Sequence, residues 1–333
     1  MPDASLWLPL IPVLLLVLAA EFVNGWTDAP NAIATAVSTR VLSPSQAVVM
    51  AAVLNIVGAL VTGTAVATTI GTGIVRPEVI DLPVVAAAML TIVLWSTLAA
   101  FYGIPTSESH ELIAGLTGAG LAAAGPSVLL WEGWQKVLIG LGFSTLLGLF
   151  LGMAIMTGLY WLLQRASVSS IRGIFGKLQI LSSAFMAFSH GSNDGQKFMG
   201  AFSLAMVLGG VMTQFTVPVW VMLLCGAVMA VGTAVGGWRI IRTMGFKITK
   251  LEPVNGFAAE SSAGLAILLA SAFGIPLSTT HTIGTSIMGV GVIRRFSAVR
   301  WGIAGNIVLA WIVTFPVCAV LGYVFTWLLK LIF

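Results

Sequence analysis

The stretch Phe188–Phe202, FSHGSNDGQKFMGAF, places His190, Asn193, Asp194, Gln196 and Lys197 within eight residues of an otherwise apolar segment. A charged group at mid-span in lipid costs about +2.5 to +3.5 kcal/mol, so residues of this kind mark a functional site. Gly191 and Gly195 bracket Asp194, and the helix is expected to loosen there. A loosened turn frees backbone carbonyls and amides, which a membrane tolerates only where they line a buried cavity. A second copy of the pattern lies in Phe22–Thr35, FVNGWTDAPNAIAT. A shift of 166 residues carries Phe22 onto Phe188, Gly25 onto Gly191 and Asp28 onto Asp194. The site is built twice.

The surrounding chain is 58% hydrophobic and only 8% charged, with mean hydropathy +1.05. Soluble domains carry about 25% charged residues, so the composition is that of a polytopic membrane protein in a lipid bilayer. No loop is long enough for a separate soluble domain. The net charge of +4 is not a nucleic-acid footprint, because the basic residues gather in short loops. Cys225 and Cys318 lie in apolar runs and read as reduced packing residues. There is no GxxxxGK[ST] loop to couple the chain to ATP hydrolysis. The first apolar run follows Asp3 rather than a basic region and is expected to stay as a span.

About 20 apolar residues cross a bilayer. Such stretches fall at 6–41 (broken near Asn24–Pro30), 45–68, 83–102, 105–125 and 135–163, then at 176–210 (broken near Gly191–Gly195), 216–238, 254–273, 276–293 and 300–330. The expected fold is therefore all-α, with five crossings in residues 1–165 and five in 166–333. Eleven of the 15 basic residues sit at Arg40 and in loops with Arg165, Arg172 and Lys177, with Arg239, Arg242, Lys247 and Lys250, and with Arg294, Arg295 and Arg300. The positive-inside rule puts these loops in the cytoplasm and both termini outside. An odd number of crossings per half inserts the second half upside down, the inverted-repeat plan of secondary transporters.

A second repeated element supports this plan. Gly103–Gly120, GIPTSESHELIAGLTGAG, aligns at a shift of 171 with Gly274–Gly291, GIPLSTTHTIGTSIMGVG. Proline ends the preceding helix, and the Ser/Thr residues after it begin a new one. Hydroxyls, free N–H groups and the helix dipole then converge on one spot, which suits an anion. Two such half-helix starts at the midplane, with Ser107, Ser109, Ser278, Thr279 and Thr280, match the acceptor oxygens of a tetrahedral oxyanion. Two ordinary serine N-caps are the plainer reading, which the matched second copy argues against.

Asp28 and Asp194 would repel an anion held between them at low dielectric, so cations must accompany it: Na⁺, H⁺ or a divalent metal. Lys197 either pairs with Asp194 or meets the substrate as a point charge. His110, His190 and His281 are proton carriers or buried hydrogen-bonding groups. No HExxH or comparable spacing names a resident metal. Glu260 has polar company only in Ser261 and Ser262, and Glu21, Glu108 and Glu111 are the other acids in apolar segments.

NGWTDAPNAIAT and SHGSNDGQK resemble the paired GxND-type motifs of the PiT family of inorganic phosphate transporters, and GIPTSESH and GIPLSTTH resemble its paired Pro-Ser elements. The resemblance covers nearly the whole chain. FSHGSNDGQK and LSTTH…IMGVG…RRFSAV…TFP are similar to the low-affinity bacterial Pit branch, which moves phosphate, partly as a metal–phosphate complex, with protons. It implies inverted repeats, often in a homodimer, in the cell membrane. It also implies phosphate contacts at Ser107, Ser109, Ser278, Thr279 and Thr280, to which the polar run of the second half adds Lys197 and Gln196. Cation coupling falls to Asp28, Asp194, Asn31, Asn193, Glu260 and Glu108, with His110, His190 and His281 as candidate proton carriers. Three departures stand out: Trp26-Thr27 replace a small residue and Asn, Asn55 stands where sodium-coupled relatives carry Glu, and Glu108 replaces a Ser/Thr. The last two favour H⁺ over Na⁺. The expected function is cation-coupled phosphate import without enzymatic activity or a bound cofactor. Its rivals are a sulfate permease of the same fold and a passive anion channel.

Overall fold

Proline and glycine cut the apolar runs into helices that repeat in the same order. The computed structural model describes residues 4–332, so Asp3 lies outside them. The first half contains α1 (Ala4–Thr27), α2 (Ala29–Ser38), α3 (Pro44–Val61), α4 (Ala65–Thr68), α5 (Leu82–Tyr102), α6 (Glu108–Ala124) and α7 (Trp131–Leu163). The second contains α8 (Val168–His190), α9 (Gln196–Leu208), α10 (Val219–Val235), α11 (Trp238–Arg242), α12 (Pro253–Ala272), α13 (Thr279–Arg294) and α14 (Trp301–Leu329). The described residues form no strand, only an isolated bridge between Val75 and Leu129.

Both expected breaks are present. Asp28 separates α1 from α2, with Pro30 in the first turn of α2. Gly191–Gly195 forms a π-helical turn between α8 and α9, the wide-turn form that often marks functional sites. Two further π-turns, Thr69–Gly73 after α4 and Thr243–Lys247 after α11, extend the repeat beyond what its sequence showed.

The sequence predicts ten crossings. Six described helices are long and apolar enough to cross a bilayer, or seven if Val219–Val235 and Trp238–Lys247, bent by 63°, count as one. α6 and α13 fall short because proline interrupts the chain before them, leaving 17 and 16 residues, about 25 Å at 1.5 Å per residue. α9 falls short because the polar motif cuts it to 13 residues, and α8, 23 residues long, because Arg172, Lys177 and its serines make it too polar.

The halves exchange partners. α1 packs on α10 and α8 on α3, while α6 packs on α14 and α13 on α7. With little hydrophobic drive between helices in lipid, such contacts depend on close backbone approach. Gly25 faces the Met229 carbonyl and Gly191 the Asn55 carbonyl, so a side chain at either would displace a helix.

The basic loops meet at one end. Arg40, Arg172, Lys250 and Arg300 line a common cavity, and Arg300 Nη1 donates to the carbonyls of Phe246 and Lys247 at 3.4 and 3.5 Å. Arg239 donates to the Phe101 carbonyl, near the C-terminal end of α5. At the other end of α5, Asp81 Oδ2 lies 3.3 Å from Lys330 Nζ beyond α14. The apolar core forms two separate clusters. The polar motifs meet where α1–α2, α8–α9, α6 and α13 come together.

Candidate functional site

The two half-helix starts arise from the same local chemistry. Gly103 and Gly274 adopt φ of 68° and 64°, the left-handed region open to glycine, and turn the chain back after α5 and α12. Pro105 and Pro276 then keep the next stretch out of helix. Ser107 and Ser278 cap α6 and α13, accepting from the backbone N–H of His110 and His281 at 3.4 and 3.2 Å. The two starts face each other: Ser109 Oγ donates to the Leu277 carbonyl at 2.9 Å, and the rings of His110 and His281 meet edge-to-face at 4.4 Å.

Both aspartates arrive at this junction. Asp28 Oδ1 accepts from Asn31 Nδ2 at 2.7 Å and from the Thr280 hydroxyl, and Asp28 Oδ2 accepts from Thr279 Oγ1 at 3.2 Å. Asp194 Oδ2 lies at the same 3.2 Å from Thr279 Oγ1. One hydroxyl has one proton to donate, so Thr279 serves one carboxylate at a time. Asp194 Oδ1 pairs with Lys197 Nζ at 2.6 Å. His190 Nε2 lies 3.7 Å from Asp194 Oδ2, and its Nδ1 lies 3.2 Å from Asn55 Oδ1. Asp28, His190 and Asp194 each offer a ligand atom within 4.8 Å of the others. Spacing in one stretch could not reveal this trio, because Asp28 comes from the other half.

The other expected residues separate into supports and satellites. Asn193 Nδ2 donates to Ser271 Oγ at 2.9 Å and to the Ile275 carbonyl at 3.1 Å, and its Oδ1 accepts from Leu277 N at 3.2 Å, clamping the second Gly-Ile-Pro segment. Gln196 turns away, its Oε1 accepting from Val66 N at 3.0 Å at the start of α4. Glu108 accepts from the hydroxyl of Thr27, next to Asp28, and from Ser96 Oγ at 3.3 Å. Ser96 also donates to Glu111, so two buried carboxyl groups share one hydroxyl. Glu260 lies in a separate cluster with the hydroxyls of Thr35 and Ser182 and with Gln179 Nε2 at 3.3 Å. His281 stacks on Trp311 at 3.8 Å, and the ring nitrogens of His110 and His281 have no hydrogen-bond partner among the described residues. Of the three histidines, only His190 reaches an aspartate.

Sequence reading missed Ser96, Thr35, Gln179 and Ser182. Their only signal was a polar residue inside an apolar helix, which says nothing of its partner.

Residues 24–172 and 164–322 match the model of the phosphate transporter family. The chain belongs to the phosphate transporter family. It is 44% identical to a "Probable low-affinity inorganic phosphate transporter" of Rhizobium meliloti (strain 1021) over 96% of both chains. It is 38% identical to a protein of the same name from Bacillus subtilis (strain 168), covering 97% of this chain and 98% of that one. A solved structure described as "The sodium-dependent phosphate transporter" superposes with a TM-score of 0.90 at 25% identity, over 98% of this chain and 100% of that one. This member of the phosphate transporter family is a multi-pass membrane protein that transports inorganic phosphate.

In this transporter, Gln196→Ala is expected to strand the buried Val66 N–H at the start of α4. An unsatisfied buried donor costs about 1–3 kcal/mol. Thermal unfolding of the purified variant in detergent checks this, and an unchanged midpoint refutes it.

Proposed function

We propose that the protein is a secondary active transporter importing inorganic phosphate across the cell membrane in symport with cations, H⁺ favoured over Na⁺. Two halves, 1–165 and 166–333, insert in opposite senses with both termini outside and alternate the access of a shared midplane site. The observation that carries this reading is the meeting of Asp28 and Asp194, one from each half, at the Thr279 hydroxyl beside two half-helix starts. The hydroxyls and N–H groups of those starts suit a phosphate. Two carboxylates beside a buried anion demand positive charge, which is the physical reason for symport. The gathering of Arg40, Arg172, Lys250 and Arg300 at one end supports the orientation.

Glu108 and Glu111 support the proton. They lie buried beside Thr27 and Ser96, and a carboxyl group shuttles a proton without a coordination shell. The ligand atoms of Asp28, His190 and Asp194 suit a divalent metal carried with phosphate. Sodium dependence in the structural neighbour's name belongs to that protein.

Uptake of radiolabelled phosphate into proteoliposomes, with Na⁺, pH gradient and Mg²⁺ varied separately, tests the reading. A pH gradient that drives uptake without Na⁺ is the expected result. Drive by Na⁺ alone reverses the choice of ion, and uptake indifferent to all three makes the protein a channel. Strong competition by excess sulfate favours a sulfate permease. Ser107→Ala with Ser278→Ala is expected to raise the half-saturating phosphate concentration about tenfold, the equivalent of one lost hydrogen bond to a charged group. An unchanged value counts against binding at the half-helix starts.

A further inference from the structure

The two halves match at the site in Asp28 and Asp194 but differ in charged positions: Glu108 stands opposite Thr279, His190 opposite Asn24, and Lys197 opposite Asn31, and only the last of these touches an aspartate in both halves. The shift that carries Asp28 onto Asp194 also carries Asn31 onto Lys197, and the shift of the Gly-Ile-Pro elements carries Ser109 onto Thr280. In the first half the Asn31 amide donates to Asp28 Oδ1 at 2.7 Å and to Thr280 Oγ1 at 3.1 Å. In the second half the Lys197 ammonium takes the equivalent partners, Asp194 Oδ1 at 2.6 Å and Ser109 Oγ. Each residue thus bridges the aspartate of its own half to a hydroxyl of the other half's helix start. One bridge is neutral and the other is a cation.

The surroundings of Lys197 are those of an ion site. Its side chain is buried, and its third contact is the Leu277 carbonyl at 3.2 Å. A carboxylate, a hydroxyl and a backbone carbonyl form the all-oxygen set that a hard metal cation takes. Asp28, by contrast, is hydrogen-bonded by the neutral donors Asn31, Thr279 and Thr280 alone.

We propose that Lys197 is a tethered counter-ion: its ammonium holds the place that a mobile cation would take in the second half, so the travelling cation is taken at Asp28. This rests on the cation-coupled reading above and names which half does the coupling. Asp28, Asp194 and Lys197 together leave one negative charge uncompensated before phosphate enters. With asparagine at 197, as at the matching position 31, they leave two. The variant must then recruit one more cation per phosphate than the natural protein.

The test compares the wild type, Lys197→Asn and the exchange variant Asn31→Lys/Lys197→Asn. All three are purified in saturating Na⁺ and assayed for phosphate uptake in proteoliposomes against Na⁺ (choline replacing it) and pH. Without Na⁺, Lys197→Asn is expected to fall at least about 100-fold below the wild type, the loss expected when one partner of a buried pair is removed. Added Na⁺ restores it, with a Na⁺ dependence steeper than the wild type's by one ion. The exchange variant, with its ammonium moved to the other half, returns to the wild-type ion requirement. Wild-type uptake indifferent to every ion sinks the cation-coupled reading itself. If the wild type is coupled, a Lys197→Asn protein with wild-type ion dependence overturns only the tether. So does one whose half-saturating phosphate concentration rises and which no Na⁺ rescues, because Lys197 is then a phosphate ligand. If Lys197→Asn is not monodisperse, the exchange variant decides: wild-type ion dependence supports the tether, and absence of uptake overturns it. Failure of both to fold in saturating Na⁺ also overturns it, since a site that accepts a cation in place of the ammonium must tolerate asparagine there.

Discussion

Asp194→Asn is expected to abolish cation-coupled phosphate uptake and to destabilise the protein together. The carboxylate lies 2.6 Å from Lys197 Nζ and 3.2 Å from Thr279 Oγ1, with its side chain fully buried. Removing one partner of a buried pair leaves the other charge uncompensated, a loss of about 3–5 kcal/mol. Adding Lys197→Met removes the stranded ammonium and is expected to recover most of that stability, because replacing both members of such a pair is often neutral. The double variant keeps one uncompensated negative charge, at Asp28, so cation coupling is expected to return with the stability, at a rate lowered by the lost contacts of Lys197 with Ser109 and the Leu277 carbonyl. Thermal unfolding in detergent and uptake in proteoliposomes separate the two effects. Normal uptake by Asp194→Asn removes this residue from the mechanism. A double variant no more stable than the single one removes the pair from the stability argument.

The second large effect comes from a residue without a side chain. Gly191 opens the π-turn and lies against the Asn55 carbonyl, and a methyl group there would overlap backbone atoms of α3. Overpacking costs about 1–3 kcal/mol where side chains can yield. Here the neighbour is backbone, so Gly191→Ala is expected to cost about 3 kcal/mol or more and to pull Asn55 from its 3.2 Å contact with His190. Gly173, on α8 before that turn, has nothing within 4 Å of an added Cβ. Gly173→Ala is expected to be neutral or to stabilise by about 0.5–1 kcal/mol through helix propensity. Equal unfolding midpoints for the two variants would refute the contact argument.

The repeat made much of this architecture legible. Matching Gly-Ile-Pro elements predicted two half-helix starts, which are present, and Ser107 and Ser278 also cap them, the plainer role the sequence reading set aside. The glycines around Asp194 predicted a loosened helix, and the π-turn lies there. What spacing could not supply were partners drawn from the opposite half. Asp28 is served by Thr279 and Thr280, and Lys197 by Ser109, pairs far apart in the chain. Gln196 is among the expected phosphate contacts, yet successive residues on a helix point in different directions, and its amide faces α4. Glu260 looked isolated because its partners Thr35, Gln179 and Ser182 lie on α2 and α8.

The exchange of helices between the halves bears on how the chain is made. α3 needs α8, and α6 needs α14, the last helix to be synthesised. The early segments must therefore wait in the bilayer with their small-residue faces uncovered until translation is nearly complete. A late closing event, rather than the joining of two finished modules, is the assembly this exchange leads one to expect.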